Sequence, residues 1–278
     1  GTELYAMQVL AADVEYERSP GIAKRYFAVA AEAGQPVAMT ALARYAQYGV
    51  LQPVDLEEAF RLDRAAADRG LPKASYNVAL AALHGAGTPR DPEAAFAMLK
   101  AVAASQARGP SEGLPDRAIR RAHMQLAVML ESGVGTPRDV GRAIGHYEAA
   151  RALGYRPAFL ALARLTLPTS GPSRAAELVE EARHARINEP WPAADEVLES
   201  SALLRPSPEI RASLDASLAA LAAATETSPD LARSLEWAQA ARGRGRLLEH
   251  QLLQCWSPED RARLPWCDGH ERAAAKVR

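Results

Sequence analysis

The sequence predicts an all-α fold of stacked helix-turn-helix repeats, and three observations carry that prediction. About a fifth of the 278 residues are Ala, the best helix former, whereas the Val, Ile and aromatic residues that build sheets are sparse. Short segments return at a fixed interval, and the apolar positions between them follow one helical face. The length suits one elongated domain or two compact ones. Charged residues interrupt every Ala-rich stretch, so no run of about 18 apolar residues exists and no membrane span is expected. The 33 Lys+Arg and 34 Asp+Glu leave a formal net charge of -1, which supplies no global field for gripping nucleic acid or anionic lipid. The chain starts at Gly1-Thr2 without an initiator Met. A leader or a lipid-anchoring segment, where one existed, is therefore expected to have been removed.

Two markers define the repeat. Ala33-Gly34-Gln35-Pro36-Val37-Ala38 returns as Arg69-Gly70-Leu71-Pro72-Lys73-Ala74 and as Leu153-Gly154-Tyr155-Arg156-Pro157-Ala158, with Gly34 and Gly70 36 residues apart. Gly85-Ala86-Gly87-Thr88-Pro89-Arg90-Asp91 recurs as Gly133-Val134-Gly135-Thr136-Pro137-Arg138-Asp139, 48 residues on. The excess of 12 fits a loop insertion near 108–116, where Gly109, Pro110, Gly113 and Pro115 fall between helical patterns. The spacing of 36 resumes from Ala122 to Ala158.

Each unit reads as two antiparallel helices. Asp55, Asp91 and Asp139 are suitable N-caps, and Ser19 fits the same frame. Four positions on stand Ala23, Ala59, Ala95 and Ala143, and small or apolar residues are expected on one face at +3, +4, +7 and +8, as in Tyr26, Phe27, Ala30 and Ala31. A Gly ends this first helix, and a Pro shortly after starts the second. Helices of about 12 to 14 residues are marginal alone, so each must bury its stripe against neighbours. The alanines let the backbones approach.

Paired helices with Ala-rich seams, a Gly-x-Gly-Thr-Pro-Arg-Asp connector and a 36-residue period resemble the Sel-1-like repeat family, a relative of the tetratricopeptide repeats. The resemblance covers residues 2–172: a leading second helix, three units, and a degenerate fourth starting near Ser173. It implies a right-handed α-α superhelix (solenoid) that acts as an adaptor for other proteins. It also implies a repeat array at 1–172, followed at 173–278 by degenerate repeats and a helical C-terminal cap. Bacterial members are frequent in the cell envelope, some as scaffolds for exopolysaccharide secretion and others as immunity proteins against secreted effectors.

Beyond residue 172, Glu189-Pro190-Trp191-Pro192 and Arg205-Pro206-Ser207-Pro208 break the frame. Helical spacing returns with Leu214, Leu218 and Leu221, and again with Leu231, Leu235 and Trp237 after Ser228-Pro229-Asp230. Leu252 to Trp266 suits a terminal cap over the outermost apolar face. Its two cysteines, Cys255 and Cys267, are the only ones in the chain. In an oxidising compartment a disulfide between them would stabilise by about 3 kcal/mol; the alternative is two reduced thiols beside Trp256 and Trp266. Arg242, Arg244 and Arg246 alternate with glycines as in a solvated turn.

Chemistry has no constellation to stand on. His84, His123, His146, His184, His250 and His270 form no metal or triad motif, and His250 and His270 lack the short spacing zinc requires of cysteine partners. The glycine connectors neither follow a strand nor end in Gly-Lys-Ser/Thr. No cofactor and no metal are expected. Positions +2 and +5 from the marker Ala carry Arg25, Arg61, Arg64 and Lys100. If the first helices line the concave wall, as the resemblance implies, these residues make basic ribs suited to an acidic peptide or protein segment, or to an anionic polymer. The expected protein is a non-enzymatic scaffold or adaptor of the periplasm or cell envelope, with the cytoplasm as the alternative address. The rivals are a hydrolase with carboxylates and His in the groove, and a structural spacer without a specific groove.

Overall fold

The computed structural model describes residues 20–49, 51–105, 117–185, 208–236 and 238–239. The loop insertion, Trp237, Arg242 to Arg246, the C-terminal cap and the Cys255/Cys267 pair lie outside the described residues. Two compact units divide the described chain, residues 20–90 and 91–239. In the first, α1 (Pro20–Glu32), α2 (Pro36–Tyr48), α3 (Leu56–Ala67) and α4 (Pro72–His84) each pack against the next. In the second, α5 (Pro92–Ala103), α6 (Arg117–Ser132), α7 (Val140–Ala152), α8 (Arg156–His184) and α9 (Pro208–Ala223) do the same, and α9 also returns against α6. Each unit is thus a stretch of all-α, helix-turn-helix solenoid. No described helix is long and apolar enough to cross a membrane.

The helix ends follow from the residues at them. A carboxylate oxygen of Asp55, Asp91 and Asp139 accepts the backbone N–H of Glu58, Ala94 and Arg142, each at 2.9 Å. Each cap satisfies one otherwise orphaned donor, and losing one costs about 1 kcal/mol. At the far ends of α1 and α7, the N–H groups of Gln35 and Tyr155 donate back to Ala30 and Ala150, both at 3.0 Å. These are the wrapped closures that a Gly past the helix end permits.

The buried stripe of the Asp-capped helices is narrower than the sequence pattern suggests. The marker alanines are buried, as are the +4 residues Phe27, Asp63, Leu99 and Tyr147 and the +7 residues Ala30, Ala66, Val102 and Ala150. The positions +3 and +8, expected on the same face, only flank it: Ala31, Leu62 and Arg151 are half-buried and Tyr26 is 43% exposed. Helical geometry explains the difference. At roughly 100° per residue, +4 and +7 lie within about 40° of the marker, whereas +3 and +8 stand about 60° to 80° away.

Both glycine connectors adopt one structure. Nε of Arg90 donates to the Leu83 carbonyl at 3.1 Å, and Nε of Arg138 donates to the Glu131 carbonyl at 2.9 Å, seven residues back in each case. Each bond satisfies a carbonyl in the last turn of the preceding helix. The second glycine of the connector lies directly on backbone. A Cβ at Gly87 would stand 1.9 Å from the Leu56 carbonyl oxygen, and one at Gly135 2.2 Å from that of Pro92. Leu56 and Pro92 open the preceding Asp-capped helices α3 and α5. The first connector departs from this: Leu51 occupies the equivalent position with φ 59, the one non-glycine residue with positive φ among the described residues.

Helix α8 is two helices in series. At Gly171 the backbone takes φ 74 and ψ 174, a region open essentially to glycine alone. Beyond it Ala175, Val179 and Ala182 are fully buried at the marker, +4 and +7 positions. The frame of the repeat therefore survives into the degenerate unit, with the connector deleted. Arg164, ahead of the break, ties four helices together. Its Nη2 lies 2.7 and 2.8 Å from the two Glu131 oxygens, and its Nε donates to Ser217 Oγ at 3.1 Å. The Tyr147 hydroxyl donates to the same carboxylate at 2.8 Å. Burial, with the Glu131 charge adding to it, pushes the phenol upward, so it remains a donor.

Two glycines of the second unit should respond oppositely to a methyl group. Gly145, inside α7, has open space where a Cβ would stand, so Gly145→Ala is expected to stabilise by about 0.5–1 kcal/mol. Gly135→Ala is expected to destabilise by about 3 kcal/mol or more, because a positive φ and a backbone collision must both be relieved. Urea unfolding followed by circular dichroism checks both. Equal effects would show that the connector does not lie on α5.

Candidate binding surface

Arg25 on α1, Arg61 and Arg64 on α3, and Lys100 on α5 all stand exposed to solvent. The first three belong to the first unit and Lys100 to the second. Arg61 is held along its own helix, with Nε and Nη2 each 2.7 Å from a Glu58 oxygen. Arg64 Nε reaches Asp68 Oδ1 at 3.2 Å. Exposed pairs of this spacing contribute about 0.3–0.5 kcal/mol, so an incoming carboxylate displaces them at little cost. Lys100 has no ion-pair partner among the described residues, and neither does Arg142, near the start of α7.

Beside these two cations the structure brings together two histidines that the sequence keeps apart. His123 on α6 and His146 on α7 meet with their Nδ1 atoms 3.0 Å apart, the rings tilted by 41°. One Nδ1 therefore carries the proton that the other accepts. The Ala103 carbonyl of α5 bears on the His123 ring, against the effect of burial. Burial holds both imidazoles below the usual histidine range, and His123, Arg142 and Lys100 lower His146 further. Both are therefore neutral near pH 7. The signal for this pair is register. His123 follows Ala122 as Met39 follows Ala38, and His146 stands three residues after Ala143 as Leu62 stands after Ala59.

Asp63 is the one polar residue at the buried +4 position. Asn77 Nδ2 of α4 donates to its Oδ2 at 3.1 Å, and the Thr40 hydroxyl of α2 stands alongside. Burial pushes its carboxyl up to about 7, against the smaller opposing effects of Asn77, Lys73 and Thr40. The groups that bear on it are an amide, a hydroxyl and the Lys73 ammonium, so this perturbed carboxyl is not half of a carboxylate pair. Among the described residues no group of three or more His, Cys, Asp or Glu is placed to hold a metal.

The sign of the Asp63 contribution follows from its raised folded value. The fold favours the neutral carboxyl, so its stability is fully present below the unfolded value of about 4 and is lost as pH rises to about 7. Asp63→Asn is accordingly expected to stabilise the fold by on the order of 1–3 kcal/mol at pH 8, raising the melting temperature there, and to change it little at pH 4. Thermal melts at the two pH values test this, and an equal shift at both would contradict it.

The Sel1 repeat matches residues 36–71, 72–105 and 120–155 as a family. In that frame each unit opens with α2, α4 or α6, and the Asp-capped helices α3, α5 and α7 come second. The first-and-second assignment read from the sequence is thus half a unit out of phase with the family. A Sel1 repeat protein from Oxalobacter formigenes shares the fold at 20% identity with a TM-score of 0.57, over 77% of this chain and 86% of that one. A protective antigen of uropathogenic Escherichia coli with an SLR fold, c5321, does so at 17% identity with a TM-score of 0.53, over 87% of this chain and 54% of that one. No curated protein matches the chain in sequence. Residues 36–71, 72–105 and 120–155, built as described above, are thus three Sel1 repeats, in a fold like that of the two solved Sel1 and SLR structures.

Proposed function

We propose that the chain is an adaptor of the bacterial cell envelope that holds a segment of a partner protein against the exposed faces of its Asp-capped helices. One observation carries the reading. Arg25, Arg61 and Arg64 of the first unit and Lys100 of the second are each exposed, and the fold uses these cations in nothing stronger than pairs within one helix. Exposed apolar side chains join them in the first unit, where Ile22, Tyr26 and Val29 share a face of α1 at 39%, 43% and 52% exposure. Aromatic and Arg anchors of this kind carry most of the affinity at protein interfaces.

The half-unit phase shift removes the argument that put these residues on a concave wall, so the proposal rests on exposure and charge alone. The envelope address is supported by the family's bacterial members and by the local, even pair Cys255 and Cys267. A polysaccharide-export component and a secreted effector are the two partner classes that such an address offers.

Capture from the native source with the tagged chain, followed by cross-link mapping, identifies the bound segment. Arg61→Glu with Arg64→Glu is then expected to weaken binding at least tenfold, about 1.4 kcal/mol; unchanged affinity would remove the α3 stripe from the interface. The native protein is also expected to gain no mass on thiol alkylation, and two alkylated thiols would argue against an oxidising compartment.

A further inference from the structure

We propose that Lys100, Arg142 and His146 form a docking point for an acidic segment of a partner protein, with His123 as its proton-linked support. The inference deepens the adaptor reading and rests on it. Several described arginines are engaged within the fold: Arg61, Arg64, Arg151, Arg164 and Arg174 lie 2.7 to 3.2 Å from a carboxylate, and Arg69, Arg90 and Arg138 donate to backbone carbonyls. Lys100 and Arg142 have no such partner among the described residues, and both are exposed. They act on the same imidazole from two helices, Lys100 from α5 and Arg142 from one turn earlier on α7. The groups that bear on His146 are these two cations and His123 of α6, with no carboxylate among them. The position has an opening for negative charge that the described chain does not fill.

The neighbouring residues fit an approaching segment. Gly145, next to His146, is exposed and meets nothing within 4 Å where a Cβ would stand. It costs helix stability and leaves the α7 backbone bare beside the three basic groups. The histidine pair supplies the proton link. When the Nδ1 of His146 carries the shared proton, its other ring nitrogen can take a second one while the 3.0 Å contact stays intact. Lys100 and Arg142 oppose that proton; a carboxylate arriving between them reverses the balance. Binding therefore takes up a proton and tightens as pH falls toward 6. Three basic groups on two helices that both pack against α6 match a short acidic stretch. A nucleic acid gripped through 6–10 phosphates needs a longer track, and the net charge of -1 supplies none.

The test uses a fluorescein-labelled peptide of alternating Glu and Gly, and its Gln counterpart, titrated against the full chain at pH 6 and pH 8 in low salt. The Glu peptide is expected to bind, at least fivefold tighter at pH 6. Lys100→Gln with Arg142→Gln should lose at least tenfold at both pH values while keeping the native melt. His146→Gln should keep the pH 8 affinity and lose the pH dependence. Equal binding of the Gln peptide, unchanged affinity in the Lys100/Arg142 variant, or displacement of the peptide by single-stranded DNA of equal charge would overturn the proposal. A captured native partner that binds this variant as tightly as the native chain would sink the docking point and leave the adaptor reading standing. Peptide binding that depends on Lys100 and Arg142, without any captured partner, would do the reverse.

Discussion

At Gly87 and Gly135 two stretches of backbone lie closer together than any side chain permits, and the stacking of the hairpins depends on that approach. A connector without a Cβ rests on the first turn of the Asp-capped helix before it, next to the Leu56 and Pro92 carbonyls. In the family's frame this helix belongs to the preceding repeat, so the glycine sits at the joint between repeats. The Arg and Asp of the same connector fix its two ends, one reaching back to the helix just finished and the other capping the helix about to start. Helices of 12 or 13 residues, such as α3 and α4, have too few bonds to hold themselves. The joint sets the distance at which their alanine seams touch.

What fills the seam then differs between units. The first is built from small residues around Phe27 and Tyr45, whose rings meet edge to face at 6.3 Å, and it carries Asp63 where the second unit carries Leu99 and Tyr147. The second adds Met124, Leu162, Leu178 and Leu221 to its core, and Arg164 and Glu131 bind its later helices into one network. Removing one member of such a network leaves the other charge stranded, which is why it holds the helices in a single arrangement.

The period, the caps, the glycine closures and the buried marker, +4 and +7 positions were legible in the sequence because each follows from a local rule. Asp63 was not, since nothing local distinguishes a carboxylate on the buried stripe from one a turn away in solvent; the clue is that Phe27, Leu99 and Tyr147 share its register. The His123 and His146 contact is set by register between helices 23 residues apart, and no motif spans that distance. The phase of the repeat was misread because an alternating array offers two equally good starting points. The family match begins at Pro36, where spacing alone put the start of the unit at the Asp cap.

Native-state amide hydrogen exchange across a denaturant series tests most directly whether the hairpins stand only by leaning on one another. The account predicts that the central amides of α5, α6 and α7 open with one shared free energy, because none of these helices persists without its neighbours. Central amides of α7 opening at a free energy of their own, well below that of α6, would contradict it.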